Sequence, residues 1–366
     1  MSEDIILEAV DLKRHFVTKK PLFGEPTVVR AVDGVSLRIR RGETFAIVGE
    51  SGCGKSTLAR VLVRLIDPDE GAVIYEGRDI AALADAEMRS LRRDLQFIFQ
   101  DPFSSLNPRM TVGALIGEPL KAHGIGTPGE RRARVAELLS RVGLRPEHAD
   151  RYPHEFSGGQ RQRIGIARAL ATGPKLVIGD EPVSALDVSI QAQVVNILQD
   201  LKDEFGLTLV VIAHDLAVIR HMSDRVAVMY LGEVVEVAPA AELFDTPRHP
   251  YTEALVAAIP LPKVGARRAG ARVAGDPPNP IAPPPGCRFH PRCAYAVDRC
   301  RTERPGLHPA GEGREVACHR AEELQLAGLG DAEGGRTAAT ERRFELYRAA
   351  RAAEEKTTNH PNRGED

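Results

Sequence analysis

A glycine-rich stretch that ends in lysine and serine, GESGCGKS from Gly49 to Ser56, has the residue spacing of a phosphate-binding loop. Glycines let the backbone turn tightly, so that its N–H groups converge on phosphate oxygens. In such a loop Lys55 reaches the β- and γ-phosphates of a nucleotide, and the Ser56 hydroxyl binds Mg²⁺. We interpret Cys53 as a small residue at a permissive position and not as a redox group. The residues expected to bind nucleotide here are Gly49, Ser51, Gly52, Cys53, Gly54, Lys55, Ser56 and Thr57.

Two secondary-structure elements must position this loop. The apolar run of residues 44–48 predicts a buried strand that leads into it. The residues after the loop have apolar side chains at three- and four-residue spacing, which predicts an amphipathic helix. The positive N-terminal end of that helix would point at the same phosphate groups. The predicted buried face consists of Leu58, Val61, Leu62 and Leu65.

Two adjacent carboxylates follow a second apolar run. Residues 176–178 predict a strand buried on both faces, and Asp180 and Glu181 come directly after it. Ligands gather at the C-terminal ends of strands in α/β proteins. We therefore expect Asp180 to hold Mg²⁺ and Glu181 to act as the catalytic base on an attacking water. A third run, residues 208–213, ends in His214, which we expect to contact the γ-phosphate as a second catalytic residue.

A later helix opens on another anion-binding sequence. Residues 156–170, FSGGQRQRIGIARAL, resemble the signature sequence of ATP-binding cassette ATPases, with Phe156 where leucine is commonest. Serine and two glycines at a helix N-terminus form a cradle for an anion, so one chain carries two such cradles. The resemblance implies that two ATPase subunits pack head to tail and enclose each ATP between the loop of one and the signature of the other. The signature residues implied to bind ATP are Ser157, Gly158, Gly159 and Gln160.

The remaining motifs of that family occur in order along the chain. The resemblance implies adenine stacking on Phe16 in LKRHF, and ATP binding by Gln100 in FIFQDP and by Asp187 in SALD. It also implies that Ser56, Gln100 and Asp180 hold Mg²⁺, and that Gln100 links the γ-phosphate to the groove where a membrane subunit docks. The implied fold is α/β: a P-loop ATP-binding cassette with a RecA-like mixed sheet core, an antiparallel β subdomain and a helical subdomain.

Several longer stretches narrow the resemblance. QDPFSSLNPRMTVG, RYPHEFSGGQRQR, HPYTEALVAAIP and GCRFHPRC are similar to the ATPases of bacterial oligopeptide and dipeptide importers, and the N-terminal stretch is most similar to the second ATPase of a dipeptide system. The likeness implies an enzyme that hydrolyses ATP to drive import through two transmembrane permease subunits. It also implies a second ATPase subunit, expected to be a different chain, and an extracytoplasmic solute-binding protein. Closure of the head-to-tail ATPase dimer would move the permease as a rigid-body change.

Two other functions stay open on the sequence alone. The ATPase does not touch the cargo, so an importer of nickel or of another solute would use similar motifs. A non-transport cassette ATPase that acts on nucleic acid belongs to a different class, which usually carries a long coiled-coil or zinc-hook insertion or two cassettes, and this chain has neither. Because 49 Lys and Arg residues stand against 51 Asp and Glu, for a net charge of -2, we expect no nucleic-acid partner.

Four of the five cysteines lie in one region, with spacings C-x5-C, C-x6-C and C-x17-C. These spacings are wider than the paired knuckles typical of structural zinc. All-cysteine ligation leaves a [4Fe–4S] cluster or a tetrahedral Zn²⁺, and thiols without metal are the third possibility. The resemblance to peptide-importer ATPases favours the iron–sulfur cluster. Its implied ligands are Cys287, Cys293, Cys300 and Cys318.

The composition predicts three regions. Residues 1–245 form the cassette, with the helical subdomain at about 101–172, residues 246–325 form an extension with the four cysteines, and residues 326–366 form a charged tail that is partly helical or disordered. No apolar run approaches the ~20 residues of a membrane-spanning helix, and the N-terminal sequence lacks the pattern of a signal peptide. We therefore expect a peripheral protein on the cytoplasmic face of the cell membrane, without a transmembrane segment of its own.

Overall fold

A computed structural model of the chain describes residues 4–17, 26–183, 188–213, 215–259, 275 and 278–329. Asp187, His214, residues 260–274 and the part of the tail after residue 329 lie outside these residues, and what the sequence predicts for them stays a prediction. The strands are β1 Ile5–Val17, β2 Val28–Arg40, β3 Thr44–Val48, β4 Glu70–Tyr75, β5 Arg78–Asp79, β6 Leu95–Ile98, β7 Leu176–Asp180, β8 Thr208–Ile212, β9 Arg225–Tyr230, β10 Glu233–Pro239, β11 His308–Pro309 and β12 Glu315–Val316. The α-helices are α1 Lys55–Leu62, α2 Asp85–Leu91, α3 Pro102–Ser105, α4 Val112–Ala122, α5 Pro128–Arg141, α6 Gly158–Leu170, α7 Val188–Phe205, α8 Leu216–Met222, α9 Ala240–Asp245, α10 Pro250–Ala257 and α11 Asp298–Thr302. Short 3₁₀ turns are Pro146–Asp150, Pro153–Glu155 and His290–Arg292.

The larger sheet has the strand order β11-β12-β10-β9-β3-β8-β7-β6. The strands from β9 to β6 are parallel to one another, and β10, β12 and β11 continue the sheet in antiparallel fashion. All residues of β3, β7 and β8 are buried, as expected of parallel strands covered on both faces. The three strands predicted from apolar runs are confirmed. Because the C-terminal ends of parallel strands meet at one edge, the segments after β3, β6 and β7 come together there.

The smaller sheet is antiparallel, with the order β2-β1-β4-β5. It packs with α1 on one face of the larger sheet, and helices α4 to α6 pack on the other face. Side chains of β3 show the division, because successive residues of a strand point to opposite faces. Phe45 and Ile47 lie in the core shared with β1, β2 and α1, and Ala46 and Val48 lie in the core shared with α4 to α6. The predicted α/β cassette architecture is confirmed.

Helix α1 is shorter than the sequence predicts. It ends at Leu62, and Arg64 has a left-handed backbone with φ of 51°. The N–H of Leu65 donates to the carbonyl of Arg60 at 2.8 Å, which closes the helix C-terminus. The turn at Arg64 carries the chain out of the helix, so Leu65 is 40% exposed. The prediction that Leu65 completes the buried face is wrong, whereas Leu58, Val61 and Leu62 are buried as predicted.

Side-chain caps fix the starts of the helices between β6 and β7. Thr111 accepts a hydrogen bond from the N–H of Ala114 at the start of α4. Thr127 and Glu130 form a capping box at the start of α5, with distances of 3.3 Å and 2.6 Å. Such caps satisfy backbone N–H groups that have no partner within the helix. They define where α4 and α5 begin.

The C-terminal extension joins the larger sheet. Strand β12 pairs with β10, where Val316 lies opposite Glu236, and the N–H of Ala317 donates to the carbonyl of Val235 at 2.8 Å. Arg314 forms an ion pair with Glu236 at 3.1 Å, and both side chains are buried. The extension is therefore packed on the cassette. No helix among the described residues is long and apolar enough to cross a membrane.

Candidate nucleotide-binding site

The phosphate-binding loop joins β3 to α1, as the sequence predicts. Its glycines Gly49, Gly52 and Gly54 have φ angles of 152°, 78° and 107°, a backbone region that favours glycine. A Cβ on Gly49 would collide with the carbonyl oxygen of Met229 in β9, and a Cβ on Gly54 would collide with that of Ala31 in β2. Glycine is therefore required at Gly49 and Gly54 for two reasons, the backbone turn of the loop itself and the close approach of β9 and β2.

Lys55 is held inside this loop. Its side chain is buried, and Nζ donates hydrogen bonds to the carbonyl oxygens of Gly49 at 2.8 Å and Glu50 at 2.9 Å. An ammonium group so placed can exchange these neutral acceptors for charged phosphate oxygens, which form stronger hydrogen bonds. Burial raises the pKa of the Cys53 thiol, which keeps it protonated and is consistent with its interpretation as a space-filling residue.

Ser56 and Asp180 meet beside the loop, where the sequence predicts a Mg²⁺ site. Ser56 Oγ donates to Asp180 Oδ1 at 2.7 Å, and Asp180 is fully buried. Asp180 Oδ2 is buried without a hydrogen bond, and its ion pair with Arg60 is long, at 3.6 Å. Burial raises the pKa of Asp180, although Ser56 and Arg60 act in the opposite direction. A serine hydroxyl beside an unsatisfied carboxylate oxygen fits Mg²⁺, which prefers oxygen ligands and favours the ionised carboxylate.

Glu181 lies next to this corner in a strained backbone conformation. Its φ of 47° is left-handed, which is uncommon for a residue other than glycine and recurs at functional sites. Its N–H donates to the carbonyl of Ile212 in β8 at 3.0 Å, and its carboxylate Oε2 accepts from Gln100 Nε2 at 2.8 Å. The structure thus brings together Lys55, Ser56, Asp180, Glu181 and Gln100, which the sequence predicts as one site.

The signature sequence begins α6 through a capping box. Ser157 Oγ accepts from the N–H of Gln160 at 3.3 Å, and Gln160 Oε1 accepts from the N–H of Ser157 at 3.1 Å. A Cβ on Gly158 would meet no atom within 4 Å, so the packing of this chain does not itself require glycine there. No hydrogen bond or ion pair within the described residues joins the signature to the phosphate-binding loop.

Phe16 lies at the end of β1, opposite Val29 of β2. The ring is 38% exposed, and the guanidinium of Arg14 lies 5.1 Å from the ring centroid. Arg14 is itself fixed by an ion pair with Asp69 at 2.7 Å. The exposed aromatic ring has the character that stacking on a base requires.

The four clustered cysteines line one small cavity in the extension. All are free thiols, and burial raises the pKa of Cys287, Cys293 and Cys318 to about 11, with neighbouring cysteines adding to the effect. Cys318 Sγ accepts a hydrogen bond from the N–H of Arg320 at 3.5 Å. Among the residues that the structure describes, no three His, Cys, Asp or Glu side chains are arranged to hold a single metal ion. The cysteines therefore share a cavity but do not converge on one point.

Two residues that sequence reasoning missed contact the phosphate-binding loop from the extension. Arg292 donates from both terminal nitrogens to the carboxylate of Glu50, at 2.8 Å and 3.0 Å, and the N–H of Glu50 donates to Tyr251 Oη at 2.8 Å. Both residues lie in stretches that carry the family resemblance, HPYTEALVAAIP and GCRFHPRC. Nothing in their spacing connects them to Glu50, so the sequence marks the stretches but not this contact.

The site combines a phosphate-binding loop, a serine–aspartate pair that fits Mg²⁺, and a glutamate carboxylate that accepts a hydrogen bond from a glutamine. The chain also carries a second anion-binding helix N-terminus. Together these features define an ATPase of the ATP-binding cassette class. The family model of the ABC transporter matches residues 32–184, and that of the oligopeptide/dipeptide transporter, C-terminal region, matches residues 235–300. The chain belongs to the ABC transporter ATPases, in the group that carries the oligopeptide/dipeptide transporter C-terminal region. The resemblance stated from the motifs is confirmed.

Curated relatives match most of the chain. The probable peptide ABC transporter ATP-binding protein y4tS of Sinorhizobium fredii is 54% identical over 317 residues, which are 86% of this chain and 90% of the relative. The oligopeptide transport ATP-binding protein AppF of Bacillus subtilis is 51% identical, over a match that covers 87% of this chain and 98% of the relative. The dipeptide transport ATP-binding protein DppF of Haemophilus influenzae is 48% identical, with coverage of 86% and 96%.

Among solved structures, the dimeric post-hydrolysis state of the ATP-binding cassette MJ0796 bound to ADP and Pi is similar, with a TM-score of 0.58 and 32% identity. The match covers 64% of this chain and 98% of that one. The cbiO1 protein of Clostridium perfringens, part of the ABC transporter complex cbiONQ, matches with a TM-score of 0.56 and 30% identity over 66% of this chain and 91% of its own. These proteins share the cassette fold with about two thirds of the chain.

Proposed function

We propose that this chain binds ATP with Mg²⁺, hydrolyses it to ADP and phosphate, and thereby drives import of oligopeptides or dipeptides through two transmembrane permease subunits. The observation that carries the catalytic part is the meeting of Lys55, Ser56, Asp180 and Glu181 at one edge of the larger sheet. The cargo follows from the C-terminal family match and from relatives between 48% and 54% identical that are named for peptide transport.

Each group in this site has a role that follows from its chemistry. Backbone N–H groups of the loop and Lys55 hold the β- and γ-phosphates. The carboxylate of Glu181 accepts a proton from the attacking water, while the water oxygen bonds to the γ-phosphorus and the bond to the β–γ bridging oxygen breaks. Gln100 donates its amide N–H to Glu181, which fixes the carboxylate and leaves the amide oxygen for a metal ion. Ser56, Gln100 and Asp180 would hold Mg²⁺, which would supply positive charge to offset the charge of the phosphates.

Further ATP-binding groups would come from a second ATPase subunit. Ser157 to Gln160 would close over ATP held in the loop of that subunit, and the open space around Gly158 supports the approach of a ligand from outside the chain. The solved dimer of MJ0796 bound to ADP and Pi supports such an arrangement by similarity. Phe16, Asp187 and His214 keep the roles that the family resemblance implies: adenine stacking, ATP binding and contact with the γ-phosphate.

The organisation we propose has three regions. Residues 1–245 would form the cassette, residues 246–325 the extension, and residues 326–366 a tail. The subunit would lie at the cytoplasmic face of the membrane, bound to the permease through the groove near Gln100, and a different ATPase chain would complete the dimer. A solute-binding protein would deliver the peptide from the other side.

We also propose that Cys287, Cys293, Cys300 and Cys318 hold a [4Fe–4S] cluster. The four thiols share one desolvated cavity and supply an all-sulfur donor set. Zn²⁺ bound by the same four thiols is the alternative that this donor set leaves open. The role of the cluster would be structural or regulatory.

Glu181→Gln tests the catalytic assignment. The glutamine oxygen can still accept the hydrogen bond from Gln100, so the change removes the charged base and keeps the local geometry. We expect ATP hydrolysis by the assembled transporter to fall by on the order of 100-fold or more, while ATP affinity changes less than about threefold. Glu87→Gln, at an exposed position on α2, is the matched control with unchanged turnover. Near-normal turnover of Glu181→Gln, with the partner's site silenced, would exclude Glu181 as the base.

Two further measurements test the cargo and the metal. Uptake of a labelled dipeptide into proteoliposomes should require ATP and should stop in Glu181→Gln, and uptake of nickel but not peptide would overturn the cargo assignment. Anaerobically purified chain should contain about four iron and four acid-labile sulfide per chain, and Cys293→Ser should lower both together with stability. One zinc per chain, or no metal, would contradict the cluster and leave the ATPase assignment intact.

A further inference from the structure

We propose that Arg292 and Tyr251, both in the C-terminal extension, are positioning residues for the phosphate-binding loop and set its affinity for ATP through Glu50. The proposal rests on the proposed ATPase function and adds a part of the chain to it. Neither residue contacts the expected phosphate position directly. They act on the second residue of the loop, and that residue in turn contacts Lys55.

Three groups of Glu50 are engaged at once. Its carboxylate accepts from both terminal nitrogens of Arg292, at 2.8 Å and 3.0 Å, in the bidentate arrangement that gives the most geometric control. Its N–H donates to Tyr251 Oη at 2.8 Å. Its carbonyl accepts from Lys55 Nζ at 2.9 Å. A continuous series of hydrogen bonds therefore runs from the extension to the lysine that binds phosphate.

The two positioning residues are themselves anchored. The rings of Tyr230 and Tyr251 have centroids 4.7 Å apart, and Phe289 packs against them at 5.2 Å and 5.4 Å. The side chain of Arg292 is only 7% exposed and lies 3.3 Å from Tyr230 Oη. Tyr230 is the last residue of β9, and the carbonyl of the residue before it, Met229, packs against Gly49, the first glycine of the loop. The contact is thus rigid on both sides, as a positioning role requires.

Charge explains why the contact should affect ATP in particular. Glu50 places a carboxylate in a loop that must receive a polyanion, and like charges close together weaken binding. Arg292 neutralises that carboxylate, and its hydrogen bonds to Glu50 and Tyr230 raise the pKa of Arg292 although burial acts against it. Removing the guanidinium would leave an unpaired negative charge in the phosphate-binding loop and release the side chain of Glu50. Both changes act on ATP binding more than on the hydrolytic step.

The main experiment measures the Kd for ATP with Mg²⁺ on the full chain, and KM and kcat on the assembled transporter. Arg292→Gln should raise Kd and KM on the order of tenfold, as expected of one unpaired charge near an anionic ligand, with kcat changed less than about twofold. Glu50→Gln with Arg292→Gln together should recover affinity to within about threefold of the original, because no unpaired carboxylate remains and the two amide side chains can hydrogen-bond across the same contact. Glu50→Gln alone should not weaken binding.

Two matched controls separate positioning from simple attachment of the extension. Arg314→Gln removes another buried arginine that joins the extension to the cassette but does not contact the loop, so it should leave the Kd for ATP unchanged. Tyr251→Phe should raise Kd about threefold by removing one hydrogen bond, whereas Tyr295→Phe, which loses only a bond to Glu253, should not.

An equal rise in Kd in Arg292→Gln and Arg314→Gln, or no recovery in the double variant, would overturn the proposal. If Arg292→Gln does not fold, as judged by circular dichroism, the double variant and Tyr251→Phe decide in its place. If the transporter with the original sequence does not hydrolyse ATP but the variants shift Kd as predicted, the ATPase function is refuted and the positioning role is supported. Normal hydrolysis without those shifts would refute the positioning role alone.

Discussion

Acid should destabilise this protein through one buried histidine. His249 caps α10, and its ring Nδ1 accepts a hydrogen bond from the N–H of Tyr251 at 3.0 Å. Only an unprotonated ring nitrogen can accept this bond. The side chain is buried next to Phe289, and burial lowers the pKa of His249 from its usual 6.5 to about 3. The ring is therefore neutral in the folded protein throughout the neutral and mildly acidic range.

The sign and the size of the effect follow from linkage. The unfolded chain binds a proton at His249 near pH 6.5 and the folded chain only near pH 3, so acid favours unfolding. The stabilisation is fully present above pH 6.5 and is lost as pH falls toward 3. At ~1.4 kcal/mol per pH unit, the loss is about 2 kcal/mol at pH 5 and about 5 kcal/mol in full.

His249→Asn provides the comparison, because asparagine is a good helix cap and does not titrate. It should cost stability at pH 7 through lost ring packing, but that cost does not depend on pH. The gap in unfolding free energy between the original and variant chains should shrink by about 2 kcal/mol from pH 7 to pH 5. Urea unfolding followed by circular dichroism measures this difference, because the chain has no tryptophan whose fluorescence could be followed. The two chains should be compared at equal metal content. Parallel pH profiles of the two chains would refute the reasoning.

Three further changes have defined outcomes. Ser56→Ala removes the hydroxyl that donates to Asp180, so Mg²⁺ should no longer increase ATP affinity when ATP is titrated with and without the metal. A retained effect of Mg²⁺ would contradict the Mg²⁺ site assigned to Ser56 and Asp180. Arg314→Met leaves Glu236 buried without its cation and should lower unfolding free energy by about 3–5 kcal/mol, seen in urea midpoints, and adding Glu236→Gln should recover part of the loss. Gly54→Ala forces a side chain against the carbonyl of Ala31 and should abolish ATP binding in equilibrium dialysis; unchanged binding would show that the loop can shift.

The catalytic part of the site could be predicted from the sequence because each signal is local. The loop motif is followed by a 3.6-residue pattern and preceded by a buried run, so strand, turn and helix are determined within about 20 residues. Asp180 and Glu181 likewise follow their own strand directly. The shared edge of parallel strands then brings these local features together without further information. Among the residues that the structure describes here, the end of α1 differs from the prediction, because nothing in the sequence marks the left-handed turn at Arg64.

The contacts of the extension could not be predicted in this way. Arg292 and Glu50 are 242 positions apart, and neither has a spacing that specifies the other. Strand β12 is only two residues long, too short for a periodic pattern to reveal it. Such contacts depend on how the chain returns to the sheet after a long connection, which is a property of the tertiary structure. The resemblance of GCRFHPRC to a family marks this region, but it does not specify a partner for the arginine between the cysteines.

The pattern of these contacts argues that the extension belongs to the ATPase mechanism. Three of its arginines, Arg288, Arg292 and Arg314, pair with cassette carboxylates in buried surroundings. Buried ion pairs contribute little net stability compared with apolar contacts of similar size, but their geometry is demanding. Their use here is therefore better explained by the need for a defined placement of the extension than by attachment alone. Of these three arginines, Arg292 is the one that binds a residue of the phosphate-binding loop, so we expect ATP affinity to depend on its pair with Glu50 and not on the other two pairs.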